Sequence, residues 1–96
     1  MGRMRKLSDD ERRDERRALE GAAGKGELAV GDAVRRMRRI TGLTQAEFAR
    51  RIAGISPGAL AQIESGRGNP TVDTLDKIGA AFGLEVGFVR KRDPGP

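Results

Sequence analysis

The 96-residue chain carries 19 lysines and arginines against 14 aspartates and glutamates, a net charge of +5, and has neither cysteine nor histidine. A chain of this length builds one domain around one modest core. Without those two residues it lacks disulfides, thiolate zinc sites, a cysteine nucleophile and the usual general base, and no apolar run approaches the roughly 18 residues of a membrane span or follows the basic start as in a signal peptide. We therefore expect a cytoplasmic protein with no catalytic residues, no metal and no cofactor, and no association with a membrane.

The charge is unevenly spread. Residues 1–29 hold eight basic and seven acidic side chains, residues 30–71 seven and three, and residues 72–96 four and four. The excess lies in the middle segment, the pattern of an electrostatic footprint for a polyanion, and nucleic acid is the expected partner. Arginines that only solubilise a helix face would give the same totals.

Residues 1–29 are highly charged and poor in large apolar side chains. Ser8 and Glu11 have the spacing of a capping box, and Asp9 with Arg13 and Arg16 with Glu20 are opposite charges four residues apart. This predicts a solvated helix from about Asp9 to Ala22, or a segment disordered on its own, since Ala18, Leu19 and Ala22 are its only apolar patch. Gly21, Gly24 and Gly26 predict a flexible joint.

From Val30 the pattern becomes helical: Val30, Val34, Met37 and Ile40 share one face, Arg35, Arg36, Arg38 and Arg39 fill the positions between, and Gly42 stops the helix. Thr44 with Glu47 is a second capping box, opening a helix from about Gln45 to Ile52 whose inner face is Phe48, Ala49 and Ile52. After a turn at Ala53 and Gly54, Ser56 is an N-cap and Pro57 a first helical residue, predicting a helix from Pro57 to about Ser65 that Gly66 ends. Thr71 caps a further helix, Val72 to Phe82, with Val72, Leu75, Ile78 and Phe82 facing the core and Gly83 at its end.

Beyond it the period changes to two. Leu84, Val86 and Phe88 alternate with Glu85 and Gly87, with Arg90 following, which predicts a short strand. One strand has no partner within the chain, so its backbone groups must pair with a second copy or stay hydrated. The chain thus divides into a charged segment (1–29), a helical domain (30–83), a strand for dimer pairing (84–91) and a tail (92–96).

The run Gly42-Leu43-Thr44-Gln45-Ala46-Glu47-Phe48-Ala49, then Ile55-Ser56, then Ile63-Glu64-Ser65-Gly66-Arg67-Gly68-Asn69-Pro70-Thr71, resembles the Cro/C1-type (XRE) helix-turn-helix family over about 55 residues. The resemblance implies an all-α, lambda-repressor-like bundle, here with a C-terminal strand and a charged N-terminal helix or arm. It also implies a transcriptional repressor that binds a palindromic DNA operator as a homodimer. In that family Ala49 is small so that two helices approach closely, and the turn between them aims the second into the major groove. The connection is one residue longer here than in the family pattern.

By the same resemblance Gln45, Ser56, Arg67 and Asn69 are expected at DNA phosphates, which set affinity and register rather than sequence preference. Base reading falls to the outer face of the Pro57 helix, where helical spacing groups Pro57, Gly58, Ala61 and Gln62 while Leu60 and Ile63 point inward. Gln62 carries the only polar head and suits an adenine edge; Ala61 suits a thymine methyl. Pro57 and Gly58 stand where family members often keep longer polar readers. Arg38 and Glu64 match a partly buried structural ion pair.

The residues from Phe82 to about Lys91 resemble the HipB-like antitoxin repressors, in which terminal strands of two subunits pair. That implies dimer contacts at Leu84, Val86 and Phe88 and a cognate toxin as a further partner. The competing expectation is a protein-interaction module that binds a toxin or other partner without specific DNA binding. An enzyme such as a nuclease would need metal carboxylates, and Asp73 and Asp76 read instead as solvated helix residues balanced by Lys77.

Overall fold

The computed structural model describes residues 6–90. Those residues form the helices α1 (Asp9–Gly24), α2 (Val30–Thr41), α3 (Gln45–Phe48), α4 (Pro57–Glu64) and α5 (Val72–Ala80), with a wide π turn, Ala49–Ala53, continuing α3. Arg3 and Arg5 at one end, and Lys91 with the tail 92–96 at the other, lie outside them.

Four of the five helices start at a residue whose side chain satisfies an orphan backbone donor. Ser8 and Thr44 form full capping boxes with Glu11 and Glu47, Ser56 Oγ accepts from the Ala59 N–H at 3.1 Å, and Thr71 Oγ1 accepts from the Thr74 N–H at 3.0 Å. The N–H of Thr44 returns to Glu47 Oε1 at 3.0 Å. That backbone bond, ahead of the opposing effect of burial and with help from Arg51 and Arg50, holds the Glu47 carboxyl below its ordinary range. In α1 the four-residue pair of Arg16 and Glu20 forms, but Arg13 turns to Asp10 at 3.6 Å rather than to Asp9.

The predicted helix to Ile52 is not a uniform α-helix. After Phe48 the backbone widens into the π turn, closed by Gly54 in the left-handed conformation at φ 69°, with the N–H groups of Gly54 and Ile55 both donating to the Ala49 carbonyl. A π turn holds more residues per turn than an α turn, so the chain leaves this helix by a wider last turn than a regular α-helix would give. Ala49 and Ala53 are fully buried within it.

The core is Leu19, Val34, Met37, Ile40, Phe48, Leu60, Ile63, Ile78 and Phe82, closed by small residues of the π turn. Two sequence expectations need correction. Val30 and Val72 lie at the starts of their helices and are 46% and 63% exposed, so neither reaches the centre. Leu19, by contrast, is fully buried, and Arg16 on the same helix lies 5.4 Å over the Phe82 ring. A helix too polar to form a core of its own thus contributes one decisive side chain to a shared one.

The predicted strand from Leu84 is absent among the described residues. α5 ends at Ala80 and a tight turn follows, in which Phe82 and Leu84 donate to the Gly79 carbonyl at 2.8 and 2.9 Å. The N–H of Val86 donates to Asp76 Oδ1 at 3.2 Å, so the segment folds back along α5. Alternation supplied the side-chain pattern of a strand, but a ladder needs a second strand and the described residues hold none.

Candidate nucleic-acid interface

α4 is held from one side and open on the other. On the held side Leu60, Ile63 and Glu64 are buried. Glu64 is a polar residue at a core position, and its carboxylate is fully engaged. Arg38 Nε lies 2.7 Å from Oε2, Arg38 Nη2 donates to Oε1 at 2.9 Å, and Gln45 Nε2 donates to Oε1 at 3.1 Å. Arg35 Nη1 donates to the backbone carbonyl of the same residue. One carboxylate therefore ties α2, α3 and α4 together.

Burial alone pushes the Glu64 carboxyl up. The hydrogen bonds from Arg38 and Gln45 and the charges of Arg38 and Arg35 outweigh it and hold the group below its ordinary range. Among the described residues no buried side-chain nitrogen or oxygen lacks a hydrogen-bond partner. A buried network of this kind fixes geometry when every member is satisfied.

The close approach of α2 to α4 depends on Gly31. A Cβ there would stand 2.8 Å from the Ile63 carbonyl oxygen and 3.0 Å from that of Glu64, both rigid backbone atoms. Neither Gly31 nor Arg35 was singled out from sequence. The available signal was a glycine inside the first turn of a helix, where it costs about 1 kcal/mol relative to alanine and so marks a packing need.

On the open side Pro57, Gly58 and Gln62 are exposed and Ala61 is half-buried. The Gln62 side chain makes no hydrogen bond among the described residues, whereas its carbonyl accepts from the N–H groups of Arg67 and Gly68 at 2.9 and 3.0 Å. Those two bonds fix the loop after α4 against the helix, leaving Arg67 and Asn69 exposed. Gln62 and Asn69 line one open groove of about 300 Å³ with Ala59, Gly68 and Thr71. Arg67, like Arg39, Arg50 and Arg51, makes no ion pair among the described residues, whereas Arg35 and Arg36 are paired with Asp32.

The remaining sequence-derived residues divide. Ser56 Oγ accepts from the Ala59 N–H in capping α4, which leaves its O–H for another partner. Gln45 is the first residue of α3 and donates one amide N–H to Glu64, which leaves its second N–H and its carbonyl oxygen for another partner. Leu84, Val86 and Phe88 lie on another part of the surface, with Phe88 fully exposed. Asp73 pairs with Lys77 at 3.3 Å and Asp76 holds Val86, and the described residues contain no carboxylate cluster able to hold a metal ion. No helix among them is long and apolar enough to cross a membrane.

A capped helix, a glycine-closed turn and a second helix with a bare outer face define a helix-turn-helix unit of the kind that enters the major groove. The helix-turn-helix family model matches residues 34–89, and the chain belongs to this Cro/C1-type family of transcriptional regulators, which is not an enzyme family. It is 43% identical over 68 residues to an uncharacterized HTH-type transcriptional regulator, y4dJ, of Sinorhizobium fredii (strain NBRC 101917 / NGR234), covering 70% of this chain and 87% of that one. It is 34% identical over 62 residues to the immunity repressor protein of Bacillus phage phi105, covering 65% of this chain and 42% of the repressor. No solved structure matches the chain.

Proposed function

We propose that the protein is a cytoplasmic, sequence-specific repressor that binds a palindromic operator as a homodimer. One observation carries the reading: α4 is clamped on its inner side by Arg38, Gln45 and Glu64 while Pro57, Gly58 and Gln62 on its outer side are exposed. Gln45, Ser56, Arg67 and Asn69 flank that face as phosphate contacts. The similarity to a phage immunity repressor supports repression as the outcome of binding. The first test is a titration of operator DNA against salt. Each neutralised phosphate contributes about −0.9 to the slope of log K against log salt, and a slope of at least about −3 per dimer is expected. A flat response refutes the reading.

Dimerisation is supported by the apolar surface at the end of the chain. Phe88 is fully exposed beside Val86 and Val89, which are 44% and 66% exposed. An apolar hollow of about 130 Å³ next to them is lined by Leu28, Val30, Met37, Leu75, Leu84 and Val86. A twofold mate covering this surface through Leu84, Val86 and Phe88 would hold two copies of α4 about 34 Å apart, one DNA turn. Phe88→Glu is expected to give a monomer in sedimentation with helical circular dichroism intact, and a mutant that stays dimeric removes this surface from the proposal.

An antitoxin role is the finer part of the same proposal, with a toxin meeting the charged outer face of α1. The competing reading, a protein-interaction module, is separated by Gln45→Ala combined with Arg67→Ala. Loss of operator binding supports the repressor; a partner complex in a protein that never had DNA affinity supports the module.

A further inference from the structure

The outer face of α4 is unusual in what it lacks. No lysine or arginine occurs between Ser56 and Ser65. Guanine is most often read in the major groove by arginine or lysine at O6 and N7, and cytosine by a carboxylate accepting from N4. The only carboxylate on the helix, Glu64, has a side chain 5% exposed and is bonded to Arg38 and Gln45. The Ser56 hydroxyl is neutral, and its oxygen accepts from the Ala59 N–H. Both charged routes to a G·C pair are thus closed on this helix.

What remains is carbon and one amide. Pro57 presents a ring, Ala61 a methyl and Gly58 a bare backbone, and a Cβ built on Gly58 would find nothing within 4 Å in this chain. The glycine is therefore not required by internal packing, and it leaves open space at the start of the helix. In the major groove the one apolar group on a base edge is the C5 methyl of thymine. A proline ring and an alanine methyl complement that group, and Gly58 leaves room for it between them, while Gln62 at the next turn suits the N6 and N7 edge of adenine.

We propose that α4 reads 5-methylpyrimidines: its specificity comes from packing Pro57, Gly58 and Ala61 against C5 methyl groups, with Gln62 reading an adenine beside them. The inference rests on the DNA-binding reading above and names the chemistry it recognises. It has a regulatory consequence. 5-Methylcytosine places the same methyl at the same position as thymine, so cytosine methylation at these positions converts a poorly bound step into a better one.

The test uses the full chain and a random-sequence duplex pool, from which the preferred operator is selected by repeated binding. The operator is then remade with deoxyuridine in place of thymine, one symmetric pair of positions at a time. Burying one methyl corresponds to about fourfold in affinity, so uracil beneath α4 should weaken binding about fourfold per half-site, and uracil outside the half-sites should change nothing. Where cytosine replaces such a thymine, 5-methylcytosine should bind more tightly than cytosine. Ala61→Gly should shrink the uracil penalty at one position only, with circular dichroism showing that the helix persists. Selected half-sites built of G·C pairs without pyrimidine methyls, or an operator indifferent to uracil at every contacted thymine, overturn the inference and leave DNA binding intact. A pool that yields no enriched sequence overturns the DNA-binding reading and this inference together.

Discussion

The two sides of α4 are separated by one or two residues in sequence and differ completely in how they are used. On the inner side Glu64 spends both carboxylate oxygens and its backbone carbonyl on residues of α2 and α3. On the outer side Pro57, Gly58 and Gln62 are exposed, and the Gln62 amide makes no hydrogen bond among the described residues. The inner side sets where the helix points, and the outer side is left for what it points at. Stability and recognition should therefore separate by residue, and each substitution below is a way to break or sharpen that separation.

The largest effect is expected at the clamp. Arg38→Met leaves Glu64 buried beside Gln45 without its countercharge, and breaking a buried pair by removing one partner typically costs about 3–5 kcal/mol. Urea denaturation should show that loss, with operator affinity falling as well because the α2–α4 joint no longer fixes the helix. The double variant Arg38→Met, Glu64→Leu should recover most of the stability, since replacing a whole buried pair by apolar side chains is often neutral. A single variant of wild-type stability would mean that the pair is only a surface contact.

The same carboxylate predicts an acid limb. Its folded pKa lies below the usual value of 4.5, so the unfolded state binds more protons in that range and stability rises with pH there. The contribution is complete above about pH 4.5 and is lost as pH falls through the folded pKa. Glu64→Gln should flatten that limb in a pH series of denaturation midpoints, although it will also lower stability throughout. An unchanged slope would place the acid sensitivity in other carboxylates.

Next in size is Leu19→Ala. Truncating a fully buried leucine costs about 2–5 kcal/mol, whereas the same change on a detached, solvated helix would cost almost nothing. A loss in that range, measured by thermal or urea unfolding in one cooperative transition, makes α1 part of the folding unit. A change under about 0.5 kcal/mol would return it to the status of an arm.

How much of this was legible in the sequence depended on whether the cause was local. Helix starts were, because Ser8, Thr44, Ser56 and Thr71 act within three residues of themselves. The residues of the outer face followed from helical spacing and the Arg38–Glu64 pair from family resemblance, but not the bonds of Gln45 and Arg35 to Glu64. The burial of Leu19 was not legible, since it depends on the packing of α1 against α2 and the rest of the core. Nor was the requirement at Gly31, which arises from two carbonyls more than thirty residues away. The strand failed for the complementary reason: alternation is a local signal, while pairing requires a second strand, and the described residues contain none.

On the outer side the effects should appear in binding and not in folding. Gln62→Ala removes the one polar reader and should cost about 1–3 kcal/mol at the cognate operator with little change on unrelated DNA. Arg67→Ala should weaken both alike, because a phosphate contact carries no sequence preference. Fluorescence titrations on the two DNAs distinguish these outcomes. Equal losses for Gln62→Ala on both would move specificity to DNA shape or to the N-terminal residues.

The smallest change in stability is also the sharpest comparison. Gly58 lies within α4, and a Cβ built there meets nothing in the chain, so Gly58→Ala introduces no internal clash. Alanine loses less backbone freedom on folding than glycine, and at a compatible position the exchange stabilises by about 0.4–1 kcal/mol. The isolated protein should therefore unfold slightly later. If the outer face lies against base edges, the added methyl occupies the space into which the DNA must come, and operator affinity should fall while stability rises. Opposite signs from one methyl group would show that this glycine is kept for its partner and not for the fold. A variant that is more stable and binds the operator as tightly as before would show that α4 never approaches DNA at its first turn, and would leave Ala61 and Gln62 to carry recognition from the second.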